Sequence, residues 1–141
     1  MAVETVPGGF PVIPILASAQ GNALYAFLKR AFDAELLDRR DTPGGEPAYM
    51  TIRAGDTILS VMMPIQGSEP TRSAFYIYVP DADVAFRRAV DAGARPVGEP
   101  GDAVHGDRVA TVIDPFGNQW TIATRLEQIS VEELHRRLDD A

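Results

Sequence analysis

The sequence predicts an α+β fold made of two consecutive strand–helix–strands units, with a helix added at the C-terminal end. Three observations carry this reading. The order of apolar patterns runs through the chain twice, turn clusters rather than helices join most of the strand-like runs, and 141 residues suit one domain. A doubly wound α/β sheet is excluded, because its parallel strands need helical crossovers that hairpins do not supply.

Residues 1–10, with Pro7, Gly8 and Gly9, read as a flexible lead-in. Val12 to Leu16 is a β-branched run suited to a buried strand, and Pro14 places it at an edge or a bulge. A helix follows, with Asn22 as its cap and Leu24, Phe27, Leu28, Ala31 and Phe32 on one apolar stripe. After a turn cluster from Asp41 to Gly45 come two strands, Ala48–Arg53 and Thr57–Met63, joined through Ala54, Gly55 and Asp56. Gly67 to Ser73 is a linker, and the pattern then begins again.

In the second unit Ala74–Val79 is a strand. Asp81 or Asp83 caps a helix reaching Ala92, and Gly93 supplies its left-handed end. Pro96 to Gly106, rich in Gly and Pro, reads as a loop. Arg108–Ile113 and Gln119–Thr124 are strands joined by the turn Asp114–Asn118, where Asp114 is expected to serve the local backbone. Phe116 and Trp120 are expected as core or module-interface residues rather than a ligand platform. The last helix, about 130–139, starts at Ser130, which Glu133 completes as a capping box. A weak echo in letters accompanies the repeated order: Ala26-Phe27 with Ala31 to Ala34, against Ala85-Phe86 with Ala89 to Ala92.

Composition removes several classes of function. Hydrophobic residues at 45% and charged residues at 23% exclude a disordered chain, and a net charge of −7 argues against nucleic acid, which needs a basic face. With no cysteine there is no disulfide, thiolate metal site or cysteine nucleophile. The apolar stretches are too short to span a bilayer, and no basic-then-apolar leader opens the chain, so a cytoplasmic protein without membrane partners is expected. No serine elbow, phosphate-binding glycine loop or dinucleotide fingerprint is present.

Longer strings carry a resemblance. Pro14-Ile-Leu and Ala26 to Glu35, then Tyr78-Val-Pro-Asp-Ala-Asp83, Ala92-Gly-Ala94, Gly106-Asp-Arg108 and Asp114-Pro-Phe-Gly-Asn-Gln-Trp120, resemble the glyoxalase/bleomycin-resistance/dioxygenase family, the vicinal oxygen chelate superfamily, and within it the PhnB-like branch. The matches spread over residues 11–137. The resemblance implies two βαβββ modules, here about 10–66 and 73–125, whose sheets form a half-barrel around a pocket. It also implies a homodimer that completes the pocket across subunits.

Metal-dependent members chelate a divalent ion through His and Glu at equivalent strand positions of the two modules. Here those positions fall at or near Ile13, at Met62 or Met63, at Ala74 and at Thr121, none of them a ligand for a hard cation. No metal or other cofactor is therefore expected. Of the two histidines, His135 falls on a solvated helix face. His105 reads either as a loop residue packed on the rim or as a pocket group able to titrate near neutrality. Asp107 and Arg108, adjacent before a strand, read as a structural pair or cap.

Alternation puts Ala74, Tyr76 and Tyr78 on one strand face and Phe75, Ile77 and Val79 on the other. The first set, with Ile13, Ile15 and Met62 or Met63, would line an apolar cavity with few polar handles. Tyr49, Thr51, Gln119, Thr121 and His105 would add polar contacts. Such a cavity suits a hydrophobic or aromatic small molecule, and the acidic surface favours a cationic one through encounter rate. The leading expectation is a metal-free protein that binds or sequesters such a molecule. The alternative is a metal-dependent lyase, isomerase or dioxygenase with a non-standard divalent site around His105, Asp107 and loop glutamates. A third is a dimer with a purely associative role.

Overall fold

A computed structural model describes Gly9 and residues 11–141, so the lead-in, Gly9 apart, and the hydrophobic Phe10 lie outside the described residues. The elements run β1 (Ile15–Ala17), α1 (Gly21–Phe32), β2 (Glu35–Asp41), β3 (Pro47–Ala54), β4 (Thr57–Met62), β5 (Ala74–Tyr78), α2 (Ala82–Asp91), β6 (Arg95–Asp102), β7 (Asp107–Ile113), β8 (Gln119–Arg125) and α3 (Val131–Asp139). The chain divides into two compact units between Ser73 and Ala74. Each is a βαβββ module, and α3 follows the second.

In the first unit the sheet order is β1-β4-β3-β2, with β1 parallel to β4 and the remaining pairs antiparallel. Leu16, Met50, Ile52, Leu59 and Val61 share the face on which α1 lies, and they are buried with the stripe Leu24, Phe27, Leu28, Ala31 and Phe32. Burying one such side chain contributes about 1.5–3 kcal/mol, so this face holds the unit together. The opposite face carries Ile15, Tyr49, Thr51, Ser60 and Met62, and no helix of the unit covers it.

Gly21 opens α1 where the helix meets the sheet. A Cβ built there would collide with the Pro47 ring, which has no flexible end to move away, and would touch Val61 at 3.5 Å. Gly21→Ala is therefore expected to push α1 off β3 and lower stability by about 1–3 kcal/mol. Urea denaturation checks it, and an unchanged midpoint would refute it.

The second unit repeats the order as β5-β8-β7-β6, again with the first strand parallel to the last. Ala82, Ala85, Phe86 and Ala89 of α2 are buried with Ala110, Val112, Trp120 and Ile122 of the sheet. The alanines let helix and sheet approach closely. Phe75 stacks on Trp120 with centroids 4.4 Å apart. Asp81 is the cap, accepting from the Val84 amide at 3.2 Å. Asp83 instead takes a two-point bond from Arg108, Nε to Oδ2 at 2.7 Å and Nη2 to Oδ1 at 3.0 Å.

Five points need correction. The first strand lies at Ile15–Ala17, after Pro14 rather than across it, so Ile13 precedes the sheet. Asn22 does not cap α1. Gln20 holds the cap position without a side-chain bond, and the Asn22 amide donates to Gly45 O at 3.0 Å. Glu35–Asp41 is a strand that the reading of residues left out, and Arg95–Asp102 is a strand where a loop was expected. Both are the outermost strands of their sheets, where prolines, charges and bulges are tolerated and an alternating apolar pattern is not required. Asp107 and Arg108 do not pair with each other, because successive residues of β7 point to opposite faces.

α3 begins at Ser130, whose hydroxyl accepts from the Glu133 amide at 3.1 Å, and none of its residues is buried. His135 is exposed on it, as expected. No helix among the described residues is long and apolar enough to cross a membrane.

Candidate functional site

Two surfaces collect the residues singled out in the sequence. On the uncovered face of the first sheet, the parallel β1–β4 pairing sets Ile15 beside Ser60 and Ala17 beside Met62. The chain beyond β4 then folds back, its Thr71 amide donating to Ala17 O at 3.0 Å and its Thr71 hydroxyl accepting from Ala17 N at 2.9 Å. The result is a cleft of about 360 Å³ lined mainly by Ile15, Ala17, Met62, Met63, Pro64 and Ile65. Ile15 and Met62 are partly exposed into it, with Ile65 81% exposed at its edge. Tyr49 and Thr51 share the sheet face, but neither lines this cleft. The Tyr49 hydroxyl donates to Asp38 at 3.0 Å, and that bond raises its pKa.

The second surface lies on the β5–β8–β7 sheet opposite α2. Register places Tyr76 beside Thr121, Thr121 beside Thr111, and Asp107 beside Arg125, all facing the same way. Gln119, at the start of β8, is exposed on that face between Ala74 and Ile113. Tyr76 and Tyr78 are about half exposed by their rings, yet their hydroxyls turn inward. Tyr76 donates to Asp107 Oδ2 at 2.6 Å and Tyr78 donates to the same oxygen at 2.8 Å. Arg125 donates from Nε to Asp107 Oδ1 at 2.6 Å and from Nη2 to the Tyr78 hydroxyl at 2.7 Å, with its guanidinium over the Tyr78 ring. His105 Nε2 lies 2.9 Å from the Tyr76 hydroxyl and 3.4 Å from Asp107 Oδ2.

This corrects the expectation that the tyrosines face a cavity with few polar handles. They belong to a five-residue polar network whose centre, the Asp107 side chain, is fully buried. Burial pushes the Asp107 carboxyl up, but the bonds from Tyr76, Tyr78 and Arg125 outweigh it and hold the pKa below the ordinary carboxylate value. Burial first, and then the bond to Asp107, raise the Tyr76 hydroxyl well above an ordinary phenol. Asp107 is therefore ionised and Tyr76 protonated over the physiological range.

The turn carrying His105 is fixed from behind. Gly106 adopts φ +100°, and a Cβ there would come within 2.6 Å of Glu127 O, so only glycine fits. The carbonyl of Gly106 accepts from the Leu126 and Glu127 amides, and Arg137 of α3 donates to Val104 O at 3.1 Å. Sequence reasoning named Tyr76, Tyr78 and His105 but missed Arg125, and gave Asp107 a structural pairing or, in the alternative, a place in a divalent site. The signal was available in part: if Asp107 opens β7 and Arg125 closes β8, a tight hairpin through Asp114–Asn118 sets them opposite each other. Among the described residues, no three His, Asp or Glu side chains gather in a way that could hold a metal ion.

The βαβββ repeat and these sheet faces define a class, and comparison with known proteins agrees. A family model described as Glyoxalase/Bleomycin resistance protein/Dioxygenase superfamily matches residues 16–122, and the chain belongs to that superfamily. It is 28% identical to an uncharacterized protein of Mycobacterium bovis over 95% of this chain and 93% of that one. Among solved structures it is similar to TioX from Micromonospora sp. ML1, with TM-score 0.69 and 25% identity over 84% of this chain and all of that one. It also shares the fold of a glyoxalase/bleomycin resistance protein/dioxygenase family enzyme from Burkholderia phytofirmans, with TM-score 0.65 and 17% identity over 79% of this chain and 95% of that one.

Proposed function

We propose that this protein binds and sequesters a small hydrophobic or aromatic organic molecule and does so without a resident metal. The cleft on the first sheet carries the reading. Its volume falls in the range that encloses small organic ligands, and its walls are mainly aliphatic or thioether, with Ser68, Glu69 and Thr71 as the polar members, a surface that rewards apolar burial and adapts to irregular shapes. The positions at which metal-dependent relatives would hold an ion carry Met62 or Met63, Ala74, Thr121 and a residue at or near Ile13, a poor donor set for a hard cation. Asp107 is no substitute ligand, since both its oxygens are already engaged. That weighs against the alternative of a metal-dependent lyase, isomerase or dioxygenase built around His105. The chain's negative charge would speed encounter with a cationic ligand, the absence of cysteine suits a reducing cytoplasmic setting, and a homodimer would cover apolar sheet surface.

Native mass spectrometry of the protein as purified, combined with elemental analysis, tests this. An organic adduct released on denaturation is expected, and Met62→Asp should abolish it while leaving the circular dichroism spectrum unchanged. A stoichiometric divalent ion, or activity that chelator removes and one metal restores, would overturn the reading.

A further inference from the structure

The proton count in the second-sheet network fixes the state of His105. Ionised Asp107 has only acceptors, so Tyr76 spends its single hydroxyl proton on Asp107. The 2.9 Å contact between Tyr76 and His105 must then be donated by the imidazole from Nε2. A neutral His105 therefore carries its proton on Nε2 and presents Nδ1 as a bare acceptor, and Nδ1 makes no hydrogen bond among the described residues. The side chain is 39% exposed.

We propose that His105 is the proton-accepting subsite for an acidic hydroxyl, a phenol or an enol, carried by a flat unsaturated molecule that lies against Tyr76 and Tyr78. This is argued from the second unit alone and stands whether or not the cleft of the first unit takes a ligand. The two tyrosine rings, centroids 5.4 Å apart and each about half exposed, offer the aromatic surface, and Tyr76 lies 6.4 Å from the imidazole. In the step itself the hydroxyl O–H bond breaks, the proton passes to Nδ1, and the electron pair stays on the ligand oxygen. An imidazolium and a phenolate result, and no further reactant is needed.

Charge favours this outcome. The groups that face or flank His105 are Tyr76 and Tyr78 from β5, Asp107 from β7 and Arg125 from β8. Glu127 and Arg137 hold its turn from behind. Asp107 and Arg125 neutralise each other, as do Glu127 and Arg137, which are joined at 2.6 Å. A protonated His105 adds one positive charge, and a bound phenolate cancels it. Asp107 Oδ2 lies 3.4 Å from Nε2, on the side of the ring away from the proposed ligand contact.

The probe for the test is 4-nitrophenol, whose absorption separates phenol from phenolate, with 4-nitroanisole as the isostere that has no proton to give. At a pH where free 4-nitrophenol is mostly protonated, the wild-type protein is expected to bind it in the phenolate form. His105→Gln should bind it about tenfold more weakly and without the phenolate band, while 4-nitroanisole binds both proteins alike and weakly. Independently, ¹⁵N chemical shifts should show His105 as the Nε2–H tautomer, a preference that Tyr76→Phe removes. The same phenolate band in His105→Gln, equal wild-type affinity for the two probes, no binding at millimolar 4-nitrophenol, or an Nδ1–H tautomer would each overturn the proposal.

Discussion

Asp114→Ala is expected to lower stability by about 4 kcal/mol. Its Oδ1 accepts from the Phe116 and Asn118 amides at 2.9 Å each, and its Oδ2 accepts from Asn118 Nδ2 and Trp120 Nε1 at 2.9 Å each. Asp114, Asn118 and Trp120 are only 3%, 1% and 2% exposed, so the donors abandoned on Asn118 and Trp120 cannot turn to water. Each buried donor left without its acceptor costs about 1–3 kcal/mol, and the turn between β7 and β8 loosens as well. Trp120→Phe removes the indole N–H while keeping a ring against Phe75. Guanidinium denaturation of the two single variants and the double variant should therefore show a double-variant loss smaller than the sum. Strict additivity would mean that the Asp114–Trp120 bond carries no weight.

Asp107→Ala is expected to cost about 2–3 kcal/mol. Its carboxylate is as deeply buried, but the donors it leaves behind differ: Tyr76, Tyr78 and Arg125 are each about half exposed and can partly rehydrate. The pH dependence identifies the effect. Because the folded Asp107 pKa is depressed, its contribution is fully present above the ordinary carboxylate pKa, near 4. It is lost as pH falls through the lower folded value. The gap between wild type and Asp107→Ala, read from urea midpoints, should thus be widest at neutral pH and close in strong acid. A gap that is constant with pH, or smaller than about 0.5 kcal/mol at neutrality, would show that the network is not held by this carboxylate.

Local patterns in the chain were strong enough to name most of the elements. The stripe Leu24, Phe27, Leu28, Ala31 and Phe32 makes α1 because those side chains must be buried together, and Asp81 and Ser130 cap their helices through bonds spanning three residues. Such signals act over a few positions, so they survive in one dimension. The edge strands β2 and β6 were not legible for the opposite reason. With a neighbour on one side only, they tolerate the charges of Glu35–Asp41 and the prolines and glycines of Arg95–Asp102.

The candidate site divides in the same way. Alternation alone put Tyr76 and Tyr78 on one face and Phe75 on the other, and motif order alone pointed to the superfamily. The partners of those hydroxyls were a matter of register. Tyr78 meets Arg125 across 47 positions, and Tyr76 meets Asp107 across 31, because β5 and β7 both align on β8. Short-range residue patterns determined most of the strands and helices and the family to which they belong. Only the packed sheet decided that one buried carboxylate gathers two phenols and a guanidinium and sets the tautomer of a histidine, since hydrogen bonds between distant residues exist only once the strands are aligned.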